Sequence, residues 1–140
     1  MNAYLDASAL VPIFLNDPFS ARIEAYLRTH TPGLYVSDFT AAEFVSALGL
    51  RIRLRQLTTK EAQDALLDCD TWQSATARMI GVTTQDVRFA DRILRRFDLG
   101  LRTPDALHIA VAQRLRCELI SFDDRMIAAA RILGLSIAGA

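Results

Sequence analysis

Lysine is almost missing from this chain: Lys60 is the only one among 16 basic residues, and the rest are arginines. Cysteine is scarce as well, with only Cys69 and Cys117. They are far apart in sequence, form no CxxC pair, and have no histidine at zinc-site spacing. A structural zinc site is thereby excluded, and both read as buried free thiols. The two histidines, His30 and His108, are too far apart in sequence to suggest a His–His metal site. Basic excess is absent too, since 16 acidic residues balance the 16 basic ones. The bulk positive charge that marks many nucleic-acid binders is therefore not available. No apolar run is long enough to span a membrane. The opening segment from Met1 to Asp6 has no basic region and meets an acid at once. No secretory leader is expected, and a cytoplasmic location follows from that expectation.

The arginine skew leaves two explanations open. Arginine forks phosphate bidentately where lysine acts as a point charge. A genome-wide codon bias would produce the same skew.

What is present suits one compact domain. The chain has 140 residues, 51% of them hydrophobic, enough for a real core and too few for a second domain. Residues 1–140 are read as one unit, without repeat, linker or low-complexity segment.

Short apolar runs alternate with helical patterns along the whole length. Strands are expected at Asn2–Asp6, Leu34–Val36, Met79–Val82 and Leu119–Phe122, with a fifth at Leu135–Ile137. Helices are expected over residues 7–15, from Pro18 to Thr29, from Thr40 onward, from Thr59 to Ala77, from Asp86 to Leu99, from Thr103, and from Asp123 to Gly134. His30–Gly33 reads as a loop. Thr103-Pro104-Asp105 reads as a helix start, with a threonine cap, proline at the first position and an acid in the first turn. The order of elements predicts a three-layer α/β/α fold around a short, mostly parallel sheet of four or five strands.

The long helix opening at Thr40 carries two apolar stripes. One holds Ala41, Phe44, Val45, Leu48 and Ile52; the other holds Ala47, Leu50, Leu54 and Leu57. A surface helix needs only one such face, so the second suggests a partner subunit.

Four acids mark the places where strands hand over to helices: Asp6, Glu43, Asp105 and Asp123. Each has a structural reading of its own. Glu43 has the spacing of a capping-box glutamate behind Thr40, Asp105 suits a helix dipole, and Asp6 and Asp123 suit N-caps. Together they point further. The carboxyl ends of parallel strands share one edge, where ligands bind. Two carboxylates about 5 Å apart repel by roughly 3 kcal/mol at an effective dielectric near 20. Four of them need protons or a cation, and an all-oxygen set suits Mg²⁺ or Mn²⁺. Ser8 is placed to orient a carboxylate or a water.

At these residues the chain resembles PIN-domain proteins. Tyr4 to Val11, with Asp6 and Ser8, is similar to the opening motif, and Ser37 to Phe44 carries the second acid, Glu43. Leu101 to Ala110 is similar to the third motif through Thr103-Pro104-Asp105, and Ile120 to Asp124 to the last, a hydroxyl residue, any residue, then an acid. Ser121 stands where threonine is common and keeps the hydroxyl. Register with Ser121 favours Asp123 over its neighbour Asp124 as the fourth acid. The chain's size resembles the VapC-type toxins of toxin–antitoxin pairs. The resemblance implies a Mg²⁺- or Mn²⁺-dependent endoribonuclease, with Asp6, Glu43, Asp105 and Asp123 holding the metal and activating water. It also implies an RNA substrate, a small cognate antitoxin and a homodimer. Alternatives are an inert PIN-like binding module and a Mg²⁺-dependent phosphoacceptor domain. The latter wants adjacent acids by the first strand, and Asp6 has none.

Other residues have plainer readings. His108, one turn past Asp105, reads as a packing histidine, with a bond to Asp105 or to substrate as the alternative. Trp72 reads as core or interface packing, and His30 as solvated. Arg51, Arg53 and Arg55, and Arg92, Arg95 and Arg96, read mostly as solvated helix faces, with RNA phosphate contact as the alternative.

Overall fold

The computed structural model describes residues 1–30 and 33–140. Thr31 and Pro32 of the expected His30–Gly33 loop lie outside the described residues. Four strands form one sheet: β1 (Ala3–Leu5), β2 (Leu34–Ser37), β3 (Ala77–Ile80) and β4 (Glu118–Ile120), in the order β3-β2-β1-β4. All neighbours are parallel, so each connection must cross from one end of the sheet to the other, and helices do this. Helices α1 (Ala7–Phe14) and α2 (Ser20–Thr29) lead to β2, and α3 (Asp38–Arg53) and α4 (Thr59–Thr76) lead to β3. Next come α5 (Thr84–Leu94), a 3₁₀ turn at Phe97–Leu99 and α6 (Thr103–Leu115) before β4; α7 (Asp124–Ile132) follows it.

The period-two alternation of β1 divides the core in two. Ala3 and Leu5 pack with Leu10, Ile23, Phe44 and Leu48 on the side of α1–α4. Tyr4, between them, faces Ile109, Met126 and Ala130 on the side of α5–α7. The sheet grows from β1 through β2 to β3, and the chain then crosses back to lay β4 on the other flank of β1. The order thus reverses at β1, and beyond the carboxyl ends of β1 and β4 a crevice opens where ligands bind in such sheets.

Several boundaries differ from the sequence expectations. The fifth strand at Leu135–Ile137 is a single bridge, Ile137 to Leu119, because among the described residues Leu119 alone of β4 exchanges hydrogen bonds there (to Ser136 and from Ala138, 2.9 Å each). β3 lies two residues earlier than expected, since its pairing ends at Ile80 opposite Ser37, before Gly81. The helix expected from Asp86 to Leu99 ends at Leu94. Phe97, at helical spacing from Ile93 and Leu94, is 89% exposed, and Leu99 turns into the core instead. Gly100, at φ 64°, closes the 3₁₀ turn in the left-handed region that glycine tolerates. The long helix starts at Asp38, not Thr40: Ser37 is its N-cap and accepts from the Thr40 amide at 3.0 Å. Glu43 is thereby freed from the capping role that its spacing suggests.

Of the second stripe on α3, Ala47 and Leu57 pack against the core, while Leu50 and Leu54 stay 48% and 57% exposed. Trp72 packs edge-on to Phe14 at 5.7 Å. Cys69 and Cys117 are buried free thiols. Burial raises the proton affinity of both, Cys69 to about 11, so neither is a ready nucleophile. Among the described residues no helix is long and apolar enough to cross a membrane.

Candidate functional site

Asp6 leaves the end of β1 and is almost wholly buried, at 1% exposure. One carboxylate oxygen, Oδ1, accepts from the Ser8 hydroxyl at 2.8 Å and from the Ala9 amide at 3.0 Å, which makes Asp6 the N-cap of α1. The other, Oδ2, accepts from the Ser121 hydroxyl at 2.6 Å, across from the end of β4. Ser8 and Ser121 lie 3.3 Å apart. Ser8 also accepts from the Phe122 amide and Ser121 from the Asp123 amide. The two serines thus lace the ends of β1 and β4 together around one carboxylate. Burial raises the proton affinity of Asp6; His108 and the hydrogen bonds from Ser121, Ser8 and Ala9 oppose that rise without cancelling it.

Asp105 sits in the first turn of α6 and accepts from the Arg102 amide at 3.1 Å. The cap is therefore Arg102, with Thr103 and Pro104 as the first two helical residues, one position earlier than the expected threonine cap. The reason is that the Asp105 carboxylate itself reaches back to the preceding turn. Asp123 is the N-cap of α7, accepting from the Met126 amide at 3.2 Å. Asp124 is the first residue of that helix and is exposed.

Glu43 reaches the crevice from the second turn of α3. Its Oε1 lies 2.5 Å from Nε2 of His108, which projects from α6. The other ring nitrogen, Nδ1, is 2.8 Å from the Tyr4 hydroxyl. Tyr4 in turn lies 2.8 Å from Ser37 Oγ and 3.0 Å from Thr40 Oγ1. Thr40 donates its own proton to the Leu5 carbonyl. One proton order satisfies the chain: Ser37 donates to Tyr4, Tyr4 to His108 Nδ1, and His108 Nε2–H to the Glu43 carboxylate. His108 is a packing histidine, as expected, but its carboxylate partner is Glu43 and not Asp105. Sequence offered little to find that link, because its partners lie 65 and 104 positions away.

Asp6, Glu43, Asp105 and Asp123 all line one cleft of about 290 Å³, with Ser8, Arg102 and His108. Asp124 does not line it. Arg102 was not singled out from sequence; its position beside Thr103-Pro104-Asp105 was the available signal. Among the described residues no group of three or more Asp, Glu, His or Cys side chains is drawn tightly enough to hold an ion. The donor set nevertheless fits Mg²⁺ or Mn²⁺. Its oxygens are carboxylate and hydroxyl, and Mg²⁺ keeps several waters and takes only one or two carboxylates directly.

The sequence model of the PIN domain family matches residues 3–132. Ribonuclease VapC46 of Mycobacterium tuberculosis is 33% identical over 137 residues, covering 96% of this chain and 94% of that protein. Among solved structures, M. tuberculosis VapC20, described as a sarcin-ricin loop cleaving toxin, superposes with a TM-score of 0.76 at 19% identity, covering 98% of both chains. Rickettsia felis VapBC2, bound to a DNA fragment from its promoter, gives a TM-score of 0.70 at 16% identity, covering 99% of this chain and 98% of that one. At such identities the likeness to these structures shows the fold.

Proposed function

The chain belongs to the PIN-domain family, and on that premise we propose that it is a metal-dependent endoribonuclease, the toxin of a toxin–antitoxin pair. The observation that carries the proposal is that Asp6, Glu43, Asp105 and Asp123, read as chemistry-bearing from their order in sequence, line a single cleft at the reversal point of the sheet. Residues 1–140 act as one catalytic unit. Asp6, Glu43, Asp105 and Asp123 would hold a divalent ion, Mg²⁺ or Mn²⁺. When bound, it supplies a water of lowered pKa and polarises the scissile phosphate.

The chain's own residues do the rest. Ser8 and Ser121 fix the rotamer of Asp6 by filling one acceptor site on each of its oxygens. His108, held from behind by Tyr4, aims the Glu43 carboxylate. Arg102, at the rim, is the only arginine or lysine among the described residues lining the cleft and is the natural contact for a phosphate. The partners are RNA and a small antitoxin protein, with a second copy of the chain forming a homodimer. Leu50 and Leu54 on α3 give such protein partners an apolar surface.

Purified protein is expected to cleave RNA with added Mg²⁺ or Mn²⁺, to stop in chelator, and to recover on restoring the ion. Cleavage undiminished after exhaustive chelation would sink the proposal. His108→Gln breaks the hold on Glu43 without removing any carboxylate. It is expected to raise the metal concentration for half-maximal cleavage by about 10–100-fold, the scale seen when a group orienting a metal ligand is lost. A titration curve that coincides with that of the wild type would remove His108 from the site.

A further inference from the structure

A second cavity, of about 790 Å³, lies between α5 and α6 and is more than twice as large as the acidic cleft. Arg88, Arg92, Arg114 and Arg116 line it, with Asp86 and Phe89. Arg88 and Arg92 are one turn apart and share a face of α5. Arg114 is already committed: it forks Asp86 at 2.8 and 2.9 Å and donates to the Gly81 carbonyl at 3.0 Å. Among the described residues, no carboxylate lies within ion-pair distance of Arg88, Arg92 or Arg116. Arg28, Arg51, Arg95 and Arg96 each have one, whereas among the described residues Arg53, Arg55, Arg78, Arg102, Arg125 and Arg131 have none either; the groove differs in that three such groups line one cavity. The groove therefore gathers three unpaired guanidinium groups in a chain whose formal charge is zero.

Two details set these arginines apart from a solvated face. The Arg92 guanidinium lies 5.3 Å over the Phe89 ring, which holds the charge in a fixed place. Arg116 caps α6 at φ 54°, a left-handed conformation that glycine adopts without strain and that only Arg55 shares among the described non-glycine residues.

The groove is also linked to the acids. α6 carries Asp105 and His108 near one end and Arg114 and Arg116 at the other, about 13 Å apart along the helix at 1.5 Å per residue. That span matches roughly four stacked nucleotides of one strand at 3.4 Å each. Gly81, to which Arg114 is fastened, follows β3 at the same sheet edge that Asp6 occupies after β1.

We propose that this groove binds the phosphodiester backbone of the RNA whose scissile bond lies in the acidic cleft, an exosite made by Arg88, Arg92 and Arg116; the proposal rests on the ribonuclease reading. Arginine forks, the amide side chains of Gln85 and Gln113 and the Phe89 ring suit a polyanion read without base specificity. The test is binding of a long single-stranded RNA by the full chain in chelator, where no cleavage occurs. Replacing the three residues (Arg88→Gln, Arg92→Gln, Arg116→Gln) is expected to weaken binding by about ten-fold or more and to flatten the dependence of log Kd on log salt by about 2, three contacts at 0.7 each. Arg116→Gly alone is expected to weaken binding with an unchanged or higher Tm, an outcome that loss of folding cannot produce. With Mn²⁺, the triple variant is expected to lose kcat/KM on the long RNA and keep it on an oligonucleotide too short to reach the groove. Wild-type affinity and salt slope in the triple variant would overturn the proposal. So would unchanged RNA binding combined with loss of binding to polyglutamate, which would assign the groove to an acidic protein. A wild-type protein that fails to cleave RNA would refute the ribonuclease reading alone, since the chelated assay reads the groove without it.

Discussion

Asp6→Asn is expected to raise the Tm of the metal-free protein and at the same time to lower RNA cleavage by about 10²–10³-fold, the scale of losing one electrostatic contact to a transition state. The first half follows from burial. The carboxylate is 1% exposed, and its three hydrogen bonds offset the cost of burying its charge only in part. Asparagine has the same shape. Its oxygen keeps the bonds from Ser8 and Ala9, and its NH₂ group meets Ser121, whose hydroxyl turns to accept. The charge disappears while the packing stays. The second half follows from the cation: the wild type is expected to gain Tm on adding Mn²⁺, because an ion that binds only the folded state stabilises it, and the variant is expected to lose most of that gain. A variant that is less stable without metal, or that still cuts RNA at the wild-type rate, would show Asp6 to be a helix cap and nothing more.

The cap role and the metal role are compatible, and the geometry says why. A carboxylate that caps a helix following a parallel strand is held at the sheet edge where ligands bind. Asp6 on α1, after β1, and Asp123 on α7, after β4, do this; Asp105 reaches the same cleft from the first turn of α6, which follows a 3₁₀ turn. Each cap bond engages one carboxylate oxygen, and in Asp105 and Asp123 the other accepts no protein hydrogen bond among the described residues.

Much of this was legible in the sequence, and the reasons are local. Short apolar runs closed by acids mark β1 and β4, and helical periodicity marks the connections, so the layered α/β order was legible; that Tyr4 faces one layer and Leu5 the other is seen in the fold. The cleft was legible because three of its acids close strands or open helices, which fixes them to one edge. What was not legible depends on distant partners. Glu43 has capping-box spacing behind Thr40, but the helix begins at Asp38 with Ser37 as its cap, because the Ser37 hydroxyl reaches the Thr40 amide and Thr40 is drawn into the core by the Leu5 carbonyl. Phe97 keeps the apolar spacing of α5 yet lies outside it, because Leu99 fills the core position. The arginines of α5 read as one solvated face. In the fold they divide: Arg95 pairs with Asp91, while Arg92 turns toward α6 and the groove.

Asp86→Asn is expected to cost about 3 kcal/mol at neutral pH, the low end for breaking one side of a buried ion pair, since Arg114 remains a third exposed. Asp86 itself is 2% exposed and does two jobs. Its carboxylate forks Arg114 on α6, and Oδ2 also accepts from the Thr83 amide at 2.9 Å, closing the capping box of α5. Burial pushes the Asp86 carboxyl up, but the Arg114 hydrogen bonds, those of Thr83 and the Arg114 charge together outweigh it and leave the group below its ordinary range. The sign of the pH effect follows. A carboxylate depressed in the folded state contributes its full stability above the unfolded value, near 3.9, and loses it as pH falls through the folded value. The difference in stability between wild type and Asp86→Asn is therefore expected to be constant from neutral pH down to about 5 and to shrink below about 4. Urea unfolding at a series of pH values measures this. A gap that stays constant into strong acid would mean that Asp86 acts through its hydrogen bonds and not its charge. The pair joins α5 to α6 beneath the groove, so its loss is also expected to weaken RNA binding in chelator, whereas cleavage of a short oligonucleotide at the distant acidic cleft should change far less.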